Sequence, residues 1–155
     1  MGSVHILAIG KLRPALRVVA DEYLRRLGRY VRVEERELPE AGKAGNATAQ
    51  RREEAARLLG ALPADAVVIA LTREGDGWSS ADLARRLGRW RDGSRPVAFL
   101  IGGAEGLAGD LLEQATQRWS LSPLTLPHEL ARVVVLEQIY RGFTILAGEK
   151  YHKAR

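Results

Sequence analysis

Five apolar residues in a row, Val97, Ala98, Phe99, Leu100 and Ile101, run directly into Gly102-Gly103-Ala104-Glu105-Gly106. An unbroken apolar run of this length suits a strand buried on both faces, as in a parallel sheet covered by helices. Three glycines in five residues let the chain turn tightly and let a ligand approach the backbone. Ligands of open α/β sheets bind just past the carboxyl ends of strands. The glycine run is therefore the first place to expect a ligand, although an ordinary strand-to-helix turn would use the same residues.

The remainder of the chain alternates as such a sheet requires. Val4–Ile9 reads as a short buried strand, and Pro14 opens a helix to about Leu27, at the first-turn position where proline is tolerated. A second strand is expected over residues 31–38, then a loop over 39–48 with Thr48 as the cap of a helix ending near Leu62. A third strand is expected over 66–71, followed by a polar loop over 72–78. Ser79, with Asp82 three residues on, caps a helix that Asp92-Gly93 ends. Past the glycines come a short helix over 110–118, a short strand over 119–121 and a loop closed by Pro123 and Pro127. The longest helix runs from His128 to about Ala147 and carries a stripe of Leu130, Val134, Ile139, Phe143 and Leu146. Strand and helix alternation predicts one α/β domain over residues 1–155, an open, mostly parallel sheet with helices on both faces.

Charge narrows the partners. The chain of 155 residues has net charge +5, with twenty arginines against four lysines. Arginine binds phosphate through a planar fork, so a polyanion such as RNA is a candidate partner; a compositional bias toward arginine would look the same. The chain has no cysteine, which fits a reducing cytoplasm, and its apolar runs are far too short to span a bilayer. Neither a phosphate-binding loop nor a Gly-x-Ser-x-Gly elbow occurs, and no Gly-x-Gly-x-x-Gly follows the first strand. His5, His128 and His152 lack metal-ligand spacing, so no metal is expected.

Three segments following apolar strands can meet at one sheet edge: Leu71-Thr72, Gly102–Gly106 and the loop from Leu121 to Pro127. Their small and apolar side chains suit a flat heterocycle held by packing and backbone hydrogen bonds. On the last helix, Glu137, Tyr140 and Arg141 fall within about one turn and form a candidate rim for a polar acceptor.

Four segments carry a specific resemblance: Leu-Ile-Gly-Gly-Ala-Glu-Gly (100–106), Trp-Ser-Leu-Ser-Pro-Leu-Thr-Leu-Pro-His (119–128), Arg-Val-Val-Val-Leu-Glu-Gln-Ile-Tyr-Arg (132–141) and Tyr-His (151–152). With Tyr-Leu-Arg-Arg (23–26), in this order and spacing, the chain resembles the ribosomal large subunit methyltransferase H family of SPOUT methyltransferases nearly end to end. The resemblance implies a C-terminal trefoil knot, S-adenosylmethionine bound within it, a homodimer, and methylation of N3 of a pseudouridine in 23S rRNA on assembled ribosomes. It implies cofactor contacts from Leu71, Gly102, Gly103, Leu121, Ser122, Pro123, Leu124, Thr125 and Leu126, with Glu105 and Gly106 adjoining. It places His128, Tyr140, Arg141, Tyr151 and His152 at the acceptor, Arg141 orienting the base or phosphate and His128 or His152 near the proton. His128 is equally read as a helix N-terminal residue that fixes the preceding loop. The tail, with little to bury, is expected to stack a base on Tyr151 and to hold phosphate with Lys150, Lys153 or Arg155. Ala104, Lys150 and Lys153 depart from the residues common in the family. Two other readings fit the bare pattern: a non-catalytic RNA-binding module, and a nucleotide-binding enzyme unrelated to methylation.

Overall fold

The computed structural model describes residues 2–42 and 45–153; Lys43, Arg155 and the side chain of His152 lie outside the described residues. Five parallel strands stand in the order β2-β1-β4-β3-β5: β1 is Val4–Ile9, β2 Val33–Leu38, β3 Val67–Gly77, β4 Val97–Ile101 and β5 Gln117–Ser120. β4 is the centre, level with both neighbours through the pairs Val4↔Val97 and Val67↔Val97. All five of its residues are buried, as the apolar run requires.

Side chains alternate across a strand, so β4 feeds two cores. Val97, Phe99 and Ile101 pack with α1 (Pro14–Leu27), α3 (Ser80–Asp92) and α5 (His128–Leu146). Ala98 and Leu100 pack with α2 (Ala47–Gly60) and α4 (Gly109–Gln114) on the other face. The crossovers through α1 and α3 move one way along the sheet; those through α2 and α4 move the other way. A single crossover hand puts the two sets on opposite faces. From the carboxyl ends of β1 and β3 the chain leaves toward one face, and from that of β4 between them toward the other, so a crevice can open on either side of the β4 end.

Local signals explain most boundaries. Ser79 Oγ accepts from Asp82 N and Asp82 Oδ2 accepts from Ser79 N, both at 3.0 Å, closing the expected capping box of α3. Asn46, not Thr48, caps α2: its backbone is extended and its Oδ1 accepts from Ala49 N at 2.9 Å, while Thr48 already lies inside the first turn. β2 begins at Val33 because Val31 N still bonds to Leu27 O. α4 stops at Gln114 because the next residues join the sheet: Thr116 N donates to Val68 O and Thr116 Oγ1 accepts from Val68 N. β5 accordingly starts earlier than expected.

The apolar stripe of α5 is divided between core and surface: α5 is clasped between α1 and α3, with Ile139 and Phe143 buried, Val134 and Leu146 half-buried and Leu130 39% exposed. One expectation about the C-terminal third is corrected: the tail, read as having little to bury, forms a 3₁₀ turn over Lys150–Lys153 that packs Tyr151 against the core. No helix among the described residues is long and apolar enough to cross a membrane.

Candidate functional site

The glycine turn after β4 is built by close backbone approach. A Cβ on Gly102 would lie 2.7 Å from the carbonyl carbon and oxygen of Gly106, closer than real Cβ atoms come. Gly106 has φ of +78°, which favours glycine, and its N–H donates to Gly103 O at 3.0 Å. The turn thus folds back on itself and leaves its concave side open.

β3 forms the second wall. Its ladder with β5 is interrupted, since Leu71 and Asp76 both pair with Trp119. The residues between them bulge out at the mouth of the crevice, where sequence reading expected a loop and the structure instead resumes the strand. Such bulges re-aim side chains at the rims of sites. Gly75 permits this one: its Cβ would meet the backbone of Arg118 and Trp119 at 2.7 Å. Thr72 Oγ1 donates to Glu74 Oε2 at 2.6 Å, which holds the Glu74 carboxyl below its usual range.

The third wall is the segment between β5 and α5. Ser122 Oγ accepts from Leu124 N at 3.0 Å, and Ser120 Oγ donates to Ser122 O at 3.3 Å. These bonds brace the segment with Leu121 and Leu126 inward and Leu124, 72% exposed, on the lip.

Together the walls enclose a cavity of about 510 Å³, within the range of small-molecule sites. Leu71, Gly102, Gly103, Leu121, Ser122, Leu124 and Leu126, which the resemblance assigns to the cofactor, line it, and so does His128, which the resemblance assigns to the acceptor. Pro123 and Thr125 belong to the same segment but are exposed and do not line the cavity. Arg51, Arg73, Glu74 and Glu105 stand around its mouth. Trp119, buried and stacked on Trp78 at 5.2 Å, forms part of the wall.

The remaining expected residues form a different cluster. Arg141 is thirteen residues beyond His128 on α5, about 20 Å along the axis. It donates to Glu137 Oε2 from Nε at 3.0 Å and from Nη2 at 2.8 Å. Its guanidinium sits 5.0 Å from the centre of the Tyr151 ring. Tyr151 OH donates to the same Glu137 oxygen at 2.9 Å and lies 3.4 Å from Tyr23 OH; burial, then these bonds, raise its phenol above the usual range. Tyr140 is buried under Tyr151, with ring centroids 4.7 Å apart, and so forms no part of a rim. Within one chain, then, His128 stands at the cavity while Arg141 and Tyr151 stand apart from it.

Sequence reading missed the groups that fix the start of α5. Arg132 is 1% exposed, donates to Gly10 O at 2.8 Å and pairs with Glu37. Glu37 also accepts from Leu12 N, and Glu129 accepts from Arg13 N at 2.6 Å. Arg17 adds a bond to Glu35 at 2.5 Å. The β1–α1 connection and the first turn of α5 are thereby tied together beside Ala131, a cavity residue. Nothing in the sequence marks Arg132 apart from nineteen other arginines.

Residues 3–152 match a family described as predicted SPOUT methyltransferase. The chain is 46% identical over 151 residues to the ribosomal RNA large subunit methyltransferase H of Anaeromyxobacter sp. (strain Fw109-5), covering 97% of this chain and 99% of that one. It is 51% identical over 154 residues to the protein of the same name from Rubrobacter xylanophilus, covering 95% and 96%. A solved structure of a candidate RNA methyltransferase from Bacillus anthracis has a similar fold, with TM-score 0.58 at 14% identity, covering 92% of this chain and 95% of that one.

Proposed function

Because the chain belongs to the SPOUT methyltransferase family, together with proteins named ribosomal RNA large subunit methyltransferase H, we propose that it is an rRNA methyltransferase using S-adenosylmethionine. Its proposed target is N3 of a pseudouridine in 23S rRNA of assembled ribosomes, in the cytoplasm. The observation that carries this reading is the convergence of three strand-end segments on one cavity of about 510 Å³. The reading treats the whole chain as a single domain, with its C-terminal part knotted as in the family.

The cavity suits the cofactor in size and lining. Leucines 71, 121 and 126 give apolar walls for an adenine, and the turn at Gly102–Gly103 brings backbone to the cavity. S-adenosylmethionine supplies an electrophilic methyl on a sulfonium. The chain's own task is then to position the acceptor and deal with its imide proton. His128, half-buried at the cavity and at the positive end of α5, is placed to accept a hydrogen bond or a proton from the base. Arg141 and Tyr151 stand about 20 Å away along α5, so in this reading they reach an acceptor only at the cavity of a second subunit. A homodimer is therefore part of the proposal, with His152 carried by the same tail. Val18 and Val19 on α1, 71% and 40% exposed, and Leu130 on α5 offer apolar surface for it.

Calorimetric titration with S-adenosylmethionine tests the reading. Binding that is lost when the glycine turn is filled supports it. A folded protein that binds 23S rRNA but not the cofactor is instead a binding module.

A further inference from the structure

One buried carboxylate lies next to the glycine turn without lining the cavity. Glu54 on α2 is 5% exposed. Its Oε2 accepts from Ala41 N at 3.1 Å, fastening the connection between β2 and α2. Gln50 Nε2 holds the same residue from the other side, at 3.4 Å from Ala41 O. Glu54 Oε1 is buried and has no hydrogen-bond partner among the described residues. A buried carboxylate oxygen without a donor is costly, and buried polar groups are nearly always paired. A Cβ on Gly103 would lie 3.6 Å from this oxygen, so the carboxylate faces the buried side of the glycine turn. The turn is closed by Gly106 N–H to Gly103 O, a bond that does not use the amides of Ala104 or Glu105. Those two residues and Gly106 are exposed, so the turn can settle without disturbing the core.

We propose that Glu54 is a positioning residue for the cofactor turn: when S-adenosylmethionine is bound, its Oε1 accepts a backbone N–H of residues 103–105 and so sets the affinity of the cavity. This rests on the reading of the cavity as the cofactor site. Oε2 already serves the fold, by holding Ala41. Oε1 serves the turn. A carboxylate is needed because only two acceptor oxygens can hold both segments at once; a glutamine has one.

The test is Glu54→Gln, which keeps shape and one acceptor. Its affinity for S-adenosylmethionine, by calorimetry, is expected to fall about tenfold, the loss of one charge-assisted hydrogen bond. Hydrogen exchange supplies the second readout. In the unaltered protein the cofactor slows exchange at both 103–106 and 121–126; in Glu54→Gln it slows only 121–126. Gln50→Leu, which loosens Ala41 alone, keeps the native affinity. Native affinity and native protection of the turn in Glu54→Gln overturn the proposal, and so does an equal loss in Gln50→Leu, which would assign the effect to the β2–α2 connection. If the unaltered protein does not bind S-adenosylmethionine, the assignment of the cavity fails first and this role falls with it.

Discussion

Replacing Gly102 by alanine adds one carbon at the most crowded point of the cavity. Its φ lies outside the left-handed region, so alanine meets no backbone penalty there. The strain is purely one of contact: the new Cβ lies 2.7 Å from Gly106 C and O and 3.2 Å from its Cα. All three are backbone atoms, so relief requires the turn itself to move by more than half an ångström. Overpacking of this kind costs about 1–3 kcal/mol. Residues 104–106 are exposed, so the free protein can open the turn and shed most of that strain. Binding must restore the turn and therefore bears the cost. At about 1.4 kcal/mol per tenfold, affinity for S-adenosylmethionine should fall roughly ten- to hundredfold. The melting temperature should fall by only a few degrees, since 1 kcal/mol is about 2–4 °C for a chain of this size. Gly60→Ala, where a Cβ meets nothing within 4 Å, is the matched control. Calorimetry and a thermal melt on both variants decide the matter. A folded Gly102→Ala protein with native affinity would remove the turn from the cofactor site.

Other perturbations separate site from scaffold. Gly103→Val crowds Ile9 Cγ2, 3.1 Å from the Cβ position, and Glu54; it should abolish cofactor binding with the fold largely kept, read by calorimetry and circular dichroism. Arg132→Ala leaves Glu35 and Glu37 to Arg17 and takes the donor from Gly10 O, a loss of about 1–3 kcal/mol and a melting point lower by several degrees. The Tyr30 phenol is pushed up to about 12 by burial and by donating to Glu149. Its contribution to stability is thus complete below its unfolded value of about 10 and is lost as pH rises toward 12. Tyr30→Phe should flatten the fall in melting temperature over that window. Truncation after Gly148 removes Tyr151 and its bond to Glu137; methyl transfer to ribosomes should collapse while cofactor affinity changes little, and normal transfer would exclude the tail from the acceptor site.

Much of this was legible because the fold is written in local chemistry. β4 announced itself by five apolar residues, α1 by Pro14 and α3 by the Ser79–Asp82 box, and the order of these elements fixed a parallel sheet. The three strand-end segments were legible as neighbours because a parallel sheet puts carboxyl ends on one edge. What escaped were pairings decided at long range. Thr72–Gly75 looked like a loop because a bulge breaks apolar alternation, yet the ladder resumes at Asp76. The partners of the α5 stripe, α1 and α3, are distant in sequence, so the sequence did not divide its buried members, Ile139 and Phe143, from exposed Leu130. Tyr151 looked free for the same reason: Tyr23, Glu137 and Tyr140, which hold it, come from two other helices' faces. Side chains that neighbour one another on α5, such as Glu137 and Arg141, are grouped by sequence spacing alone, and helix rise sets them well apart from His128 on the same helix.

Transfer of a labelled methyl group from S-adenosylmethionine to intact ribosomes, followed by mapping of the modified nucleotide, tests the central claim most directly. The ribosomes are taken from cells lacking this methylation. The expected result is one labelled site per 23S rRNA, at N3 of a pseudouridine, with the label lost when Gly103→Val replaces the native protein. Label on another RNA, or no transfer by a protein that binds ribosomes normally, contradicts it.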